Sequence, residues 1–290
     1  MELGFRFDSV WVLESLPADD LKTGESLYRD IIGPAVARWP EVTSTFRSIN
    51  SKSEFLAVLD SIEADAQGAW RWPIIHLETH GNAKGLGLAS GEFITWAELR
   101  EPLTRINRAT RLNLVVTLAA CSGAEMRQVL HLIDQAPFLY VSGPSTTREA
   151  GQLLMDFGAF YQEVLSSLDM RRAFDLLNGN ERPARWVYPV IPAEYFFRCV
   201  FEGYVSIECT PDELRERENA IVAEIGRRQS VDLNYLAQVR LEVRAMLRNQ
   251  EPHFDRFRRR FFMIDEFPEN DNRFTISWSD LQGQTSGSAV

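Results

Sequence analysis

Two residue types capable of nucleophilic chemistry stand at the ends of two apolar runs. His80 and Gly81 follow the run 74–79, and Cys121 follows the run 114–120. Apolar runs of this length are typical of buried β-strands. A cysteine attacks a carbonyl carbon effectively as the thiolate, and a neighbouring imidazole commonly accepts the thiol proton. The two positions therefore predict the His–Cys dyad of a cysteine peptidase.

The sequence around these residues resembles a known group of peptidases. From Ile74 to Ala124 it reads IIHLETHGNAKGLGLASGEFITWAELREPLTRINRATRLNLVVTLAACSGA. Its Thr-His-Gly, glycine-rich hairpin, short helix and Ala-Cys resemble the core of the clan CD cysteine peptidases (caspases, legumain, gingipain and separase), and above all their bacterial CHAT branch. His80 and Cys121 are 41 residues apart, near the roughly 50 of caspases. The resemblance covers about Ser9 to Pro192 and implies peptidase activity.

Further residues are expected to assist the dyad. Gly81 permits a close backbone approach, so its N–H group and that of Cys121 are the expected oxyanion hole. The candidate substrate pocket consists of Asp19, Asp20, Thr79, Ala119 and Ser142. A helix N-cap is an alternative explanation for Asp19 and Asp20. Caspases carry Gln where this chain has Ala119, so cleavage is not expected to require aspartate at P1.

The elements that must position these residues alternate between strand and helix. Strands are predicted at 10–13, 42–49, 72–79, 112–120, 137–142 and 186–191. Helices are predicted at 20–38, from 53 onward, at 95–107, at 123–133 and twice within 147–177. Nearly continuous apolar strands between helices predict an α/β fold, and the resemblance makes it caspase-like: a six-stranded, mostly parallel sheet sandwiched by helices. The carboxyl ends of such strands form the functional crevice, where His80 and Cys121 would lie.

Domain boundaries follow from a change of pattern after Pro192. Residues 1–192 are the predicted peptidase domain, and residues 193–267 show helical periodicity alone, which predicts a helical appendage packed on or beside it. We expect this appendage to control activity or recruit a partner through exposed arginines such as Arg258 and Arg259. A solvated helix face is the alternative. Residues 268–290 are polar and are expected to be a dispensable, disordered tail.

Composition limits the partners and the compartment. The net charge of −10 and the pI of about 5.1 argue against general affinity for DNA or anionic membranes. The chain has three cysteines and a start without signal-peptide features, so we expect a cytoplasmic protein in which Cys199 and Cys209 are free thiols. No apolar stretch approaches the roughly 20 residues of a membrane span.

No metal or other cofactor is expected. His76 lies four residues before His80, so in a strand the two would share a face as a metal pair does. No further ligand stands at suitable spacing, and we interpret His76 as a core histidine with satisfied hydrogen bonds. Gly85-Leu86-Gly87 lacks the third glycine and the adjoining helix of a dinucleotide site.

The favoured hypothesis is a cysteine endopeptidase that cleaves a specific protein partner. The resemblance to the CHAT branch implies regulation, with a role in bacterial antiviral defence or cell death as an analogy. The alternative is a catalytically silent, caspase-like scaffold that binds a regulatory protein partner through its helical appendage. A nucleotide-binding domain is a third hypothesis, and ligand-dependent stabilisation would support it.

Overall fold

The chain forms two compact units. The computed structural model describes residues 5–69, 71–121, 134–179, 187–228 and 232–285. The first unit comprises residues 1–130 and 136–193, and the second comprises residues 131–135 and 194–290. The helix predicted at 123–133 lies outside the described residues.

One sheet organises the first unit. Its strands are β1 (Ser9–Ser15), β2 (Thr43–Ser48), β3 (Pro73–Asn82), β4 (Gly85–Gly87), β5 (Phe93–Thr95), β6 (Val115–Ala119), β7 (Tyr140–Ser142) and β8 (Val190–Pro192). Six of them lie side by side in the order β2-β1-β3-β6-β7-β8. The pairings are parallel except for β8, which is antiparallel to β7. This architecture confirms the predicted α/β fold with a mostly parallel, six-stranded sheet flanked by helices.

The central strands are buried along most of their length. Every residue of β1 and the first seven residues of β3 are buried. A parallel strand covered by helices on both faces needs apolar residues on both, which explains the continuous apolar runs in the sequence. β3 extends further than predicted because its last three residues, His80–Asn82, pair with the short strand β4.

The helices of the first unit have the bounds α1 (Thr23–Leu27), a π-helical turn (Tyr28–Ile32), α2 (Gly33–Val36), α3 (Lys52–Gly68), α4 (Trp96–Ala109), α5 (Ala150–Ser167) and α6 (Met170–Leu177). Side-chain caps mark the starts of α3, α4 and α6 among them. Ser51 caps α3, and Thr95 and Glu98 form a capping box at the start of α4. α1 starts after Lys22, so the N-cap interpretation of Asp19 and Asp20 is wrong.

Helices are the regular secondary structure of the second unit in its described residues. Its helices are α7 (Ala193–Glu208), α8 (Pro211–Arg228), α9 (Leu233–Arg248), α10 (Glu251–Phe261), α11 (Asn270–Arg273) and α12 (Trp278–Thr285). α8 and α9 enclose a small aliphatic core around Val222 and Val243. A second cluster is aromatic, with Phe197 contacting Phe254, Phe261 and Phe262 at centroid distances of 5.3 to 5.4 Å.

The chain after Pro268 belongs to this aromatic core, which corrects the expectation of a disordered tail for residues 268–285. Phe274 stacks on Phe262 with ring centroids 4.6 Å apart, and Trp278 contacts the rings of Phe201 and Phe254. Leu281 is also buried. This stretch is polar in overall composition, but it contains three spaced apolar residues, Phe274, Trp278 and Leu281. Burial of such side chains stabilises an otherwise polar segment.

The prediction that Arg258 is an exposed residue for partner recruitment is wrong. Its side chain is only 13% exposed and forms an ion pair with Asp271 at 2.6 Å. It also donates to the Phe274 carbonyl oxygen at 2.7 Å. Arg258 therefore ties α10 to the segment that follows Pro268. Arg259 is more exposed and pairs with Asp265.

We predict that a chain truncated after Pro268 is destabilised. The deletion removes Phe274, Ile276 and Leu281, all buried, and each buried side chain of this size contributes roughly 1.5–3 kcal/mol. It also removes Asp271 and the Phe274 carbonyl oxygen, the two closest partners of the Arg258 guanidinium. Thermal unfolding of the truncated and full chains measures the effect, and truncation after Thr285 is the matched control. An unchanged melting temperature after truncation at Pro268 would contradict this packing.

No helix among the described residues is long and apolar enough to cross a membrane.

Candidate active site

The register of the sheet brings the two predicted reactive residues together. β3 and β6 are parallel neighbours, with Glu78 opposite Ala119 at the end of the pairing. His80 and Cys121 each come two residues after this last pair. Adjacent strands lie about 4.8 Å apart. His80 and Cys121 therefore lie on neighbouring chain segments at the carboxyl ends of β3 and β6.

Gly81 supplies a second measure of this proximity. A Cβ atom placed on Gly81 would lie 2.5 Å from the backbone oxygen of Cys121 and 3.0 Å from the Cβ of Ala120. The backbone of β3 therefore passes the Cys121 segment at a distance that only glycine allows. This close approach is the condition under which Gly81 and Cys121 N–H groups can face one carbonyl oxygen.

His80 has a carboxylate partner that the sequence analysis did not assign to it. The Nε2 atom of His80 lies 2.6 Å from Oδ2 of Asp20, in the loop after β1. The imidazole is 64% exposed and the Asp20 side chain 35%. An ionised carboxylate only accepts hydrogen bonds, so with Asp20 ionised this contact selects the neutral tautomer that has its proton on Nε2 and a free lone pair on Nδ1. In that tautomer Nδ1 is the atom available to receive a proton.

The other pocket candidates are distributed differently. Asp19 is exposed next to Asp20. Thr79, Ala119 and Ser142 are 3% exposed or less, so their side chains present almost no surface to a substrate. The Thr79 hydroxyl lies 2.7 Å from the Gly87 carbonyl oxygen and helps to close the β3–β4 hairpin. These three residues shape the sheet beneath the dyad instead of lining a pocket in the described chain.

His76 is a buried structural residue, as predicted. Its Nδ1 lies 2.9 Å from the Thr117 hydroxyl, and its Nε2 lies 3.1 Å from a carboxylate oxygen of Glu78. Both ring nitrogens are therefore satisfied, and the ring packs edge-on against Phe157 of α5. Among the described residues, no group of three His, Cys, Asp or Glu side chains is arranged to hold a metal ion.

The three cysteines differ in accessibility. All are free thiols; Cys199 is exposed, whereas Cys121 and Cys209 are half-buried. The Cys209 thiol donates to the side-chain oxygen of Gln250 at 3.4 Å. Accessibility alone would therefore make Cys199 the most reactive thiol, and any preference for Cys121 must come from its surroundings.

Comparison with known proteins returns no match, either to a protein-family model or to a curated protein. The resemblance to clan CD peptidases therefore stays a prediction that depends on the residues quoted above, on the fold and on the geometry of His80, Cys121 and Asp20.

The Asp20 contact shows what local sequence patterns miss. Sixty positions separate Asp20 from His80, and the loop between β1 and α1 has no motif that distinguishes a histidine partner from a turn residue. The available signal was positional: Asp20 follows the strand adjacent to β3, so its loop lies at the same sheet edge as His80.

We predict that Gly81→Ala displaces Cys121. The added methyl group collides with a backbone oxygen, which cannot rotate away as a side chain can. We expect turnover and Cys121 alkylation to fall at least about tenfold, since misplacement by about 1 Å is costly in catalysis. Gly87→Ala is the matched control on the same hairpin, because its nearest neighbour, the His80 Cβ, is 3.7 Å away. Equal behaviour of the two variants would contradict the close approach.

Proposed function

We propose that this protein is a cysteine endopeptidase of the clan CD type that acts on a protein partner in the cytoplasm. The observation that carries the proposal is the convergence of three chain segments: Cys121 after β6, His80 at the end of β3, and Asp20 hydrogen-bonded to His80. A thiol, an imidazole and an orienting carboxylate are the groups that nucleophilic acyl transfer requires.

In this proposal the reaction has two halves. His80 accepts the Cys121 proton through Nδ1, and the Sγ atom attacks the scissile carbonyl carbon. The N–H groups of Gly81 and Cys121 stabilise the resulting oxyanion. His80 then protonates the leaving amine, which leaves a thioester on Cys121. Water deprotonated by His80 hydrolyses this thioester and regenerates the thiol.

The charge around His80 bears on substrate choice. Asp19 and Asp20 place carboxylates next to the dyad, and an acidic substrate side chain there would be repelled. We therefore propose that cleavage does not require aspartate at P1, and that neutral or basic side chains are preferred.

A regulated role in bacterial antiviral defence or cell death is proposed only by analogy with the CHAT branch. The helical unit is the part proposed to recruit the substrate. Large apolar side chains are exposed on it, including Ile207, Leu233 and Leu241, and exposed apolar residues are common at protein interaction sites.

The same exposed side chains favour one alternative, a caspase-like scaffold that binds a partner without cleaving it. The two proposals differ in what they require of Cys121. A scaffold keeps its effect when the thiol is removed, whereas a peptidase loses it.

The reactivity of Cys121 tests the peptidase proposal without knowledge of the substrate. We predict that iodoacetamide modifies Cys121 at least about tenfold faster than exposed Cys199, because in the proposed dyad the His80 imidazole accepts the thiol proton as the sulfur attacks. Time-resolved labelling followed by peptide mapping measures all three rates in one sample, with His80→Ala as the control. Rates that simply follow exposure, with Cys199 fastest, would refute the activation of Cys121.

A further inference from the structure

Two carboxylates are buried beneath the dyad where no catalytic step uses them. Glu14 of β1 and Glu78 of β3 are opposite each other in the parallel register and are 3% and 4% exposed. Burial raises the pKa of Glu14, and the charge of Glu78 adds to this, while N–H groups of Glu25 and Gly24 act in the opposite direction. Burying two adjacent carboxyl groups is costly, so their hydrogen bonds must compensate.

The hydrogen bonds of these carboxylates converge on the first turn of α1. One oxygen of Glu14 accepts the N–H groups of Gly24 at 2.9 Å and Glu25 at 3.1 Å. Glu78 accepts the Thr23 hydroxyl at 2.6 Å. Gly24 is closely seated, because a Cβ atom there would lie 3.0 Å from the Glu78 Cβ. Both carboxylates therefore hold the start of α1 against the sheet.

The carboxylate of Glu78 also contacts His76, on the side away from Thr23. Its second carboxylate oxygen lies 3.1 Å from His76 Nε2, and the opposite ring nitrogen lies 2.9 Å from the Thr117 hydroxyl. Thr117 in turn lies 2.9 Å from the buried hydroxyl of Tyr161 in α5. A chain of hydrogen bonds thus connects the start of α1 to the centre of the first unit, and such a connected network is rigid.

Only a short segment of chain connects Asp20 to the start of α1. Asp20 is three residues before Thr23, and its N–H group donates to the Pro17 carbonyl oxygen at 3.1 Å. The Lys22 ammonium donates to the carbonyl oxygens of Leu16 and Pro17. The loop between β1 and α1 is therefore a closed turn, fixed where it enters α1.

We infer that Glu14 and Glu78 are positioning residues: by holding Thr23 to Glu25 they set the Asp20 carboxylate against His80. The inference rests on the proposed function, since positioning matters only if His80 activates Cys121. It assigns a role in catalysis to a hydrogen-bond network that contacts neither the Cys121 thiol nor the His80 imidazole.

Removal of one hydroxyl group tests the inference with minimal change of shape. In Thr23→Val, Glu78 loses its bond to α1, and we expect His80-dependent alkylation of Cys121 to slow about tenfold, as Asp20→Asn would slow it. Thr23→Ser retains the hydroxyl and should behave as the wild type. Rates are measured by iodoacetamide labelling across pH 5 to 9, well below each variant's melting temperature, with Cys199 as internal reference.

The double variant separates positioning from general destabilisation. If Thr23 acts through Asp20, then Thr23→Val adds no further loss in an Asp20→Asn background, and both single variants shift the pH profile of Cys121 labelling in the same direction. Additive losses, or a Thr23→Val profile unchanged in midpoint and plateau, would overturn the inference. Should Thr23→Val melt too low, Thr23→Ala removes the hydroxyl without adding bulk.

The outcome for His80→Ala distinguishes failure of the proposed function from failure of the positioning role alone. If His80→Ala does not slow Cys121 labelling, the proposed function and the inference both fail. If His80→Ala slows labelling and Thr23→Val does not, only the positioning role of Glu14 and Glu78 fails.

Discussion

Cys121→Ala is expected to abolish hydrolysis while the melting temperature stays within a degree or two of the wild-type value. The side chain is half-buried at a strand end, so loss of one sulfur atom leaves a small and partly solvated gap. Loss of the nucleophile removes the covalent pathway entirely, and losses above roughly 10⁴-fold follow when a nucleophile is deleted. Incubation with proteins encoded by neighbouring genes, followed by intact-mass analysis, measures the cleavage.

Cys199→Ala is the matched control for this experiment. It removes a more accessible thiol in the helical unit and should leave cleavage unchanged. If Cys121→Ala retains the protein's effect on a partner, the scaffold alternative gains support and the peptidase proposal is refuted.

His80→Ala is expected to reduce turnover by roughly 10²- to 10⁴-fold, the contribution of general acid–base catalysis. The fold should be unaffected, because the imidazole is 64% exposed and its hydrogen bond to Asp20 lies at the surface. Turnover and thermal unfolding are measured on the same preparation. Turnover that persists with a native melting curve would show that His80 is not the base.

His76→Ala provides the contrasting result on the same strand and the same face. This histidine is fully buried, and both of its ring nitrogens have partners, so its removal leaves the buried Oε2 atom of Glu78 without its partner and takes one of two hydrogen bonds from the Thr117 hydroxyl. We expect a marked fall in melting temperature, because unsatisfied buried polar groups cost about 1–3 kcal/mol each. The two histidines thus separate stability from chemistry.

The helical unit is packed through its last described helices and exposes apolar side chains elsewhere. Its aromatic core extends through Phe274 and Trp278, so the polar appearance of the last part of the chain is misleading. Arg258 is committed to internal contacts, which leaves exposed apolar side chains such as Leu233 and Leu241 as better candidates for contact with a partner.

The sequence by itself determined the main elements and nominated His80 and Cys121 as the reactive pair. Apolar or alternating runs predicted all six main strands, and the helix predicted at 95–107 begins where α4 does, because capping and strand patterning depend on residues near each other in the chain. His80 and Cys121 were recognisable for the same reason: each stands at the end of its own apolar run.

Only the tertiary structure decided which distant groups meet. The strand order places the ends of β3 and β6 side by side, the β1–α1 loop brings Asp20 to His80, and Glu14 and Glu78 reach the start of α1 from two strands. It also moved Thr79, Ala119 and Ser142 from a predicted pocket into the buried sheet. Contacts between segments dozens of residues apart depend on packing, and local periodicity carries no information about them.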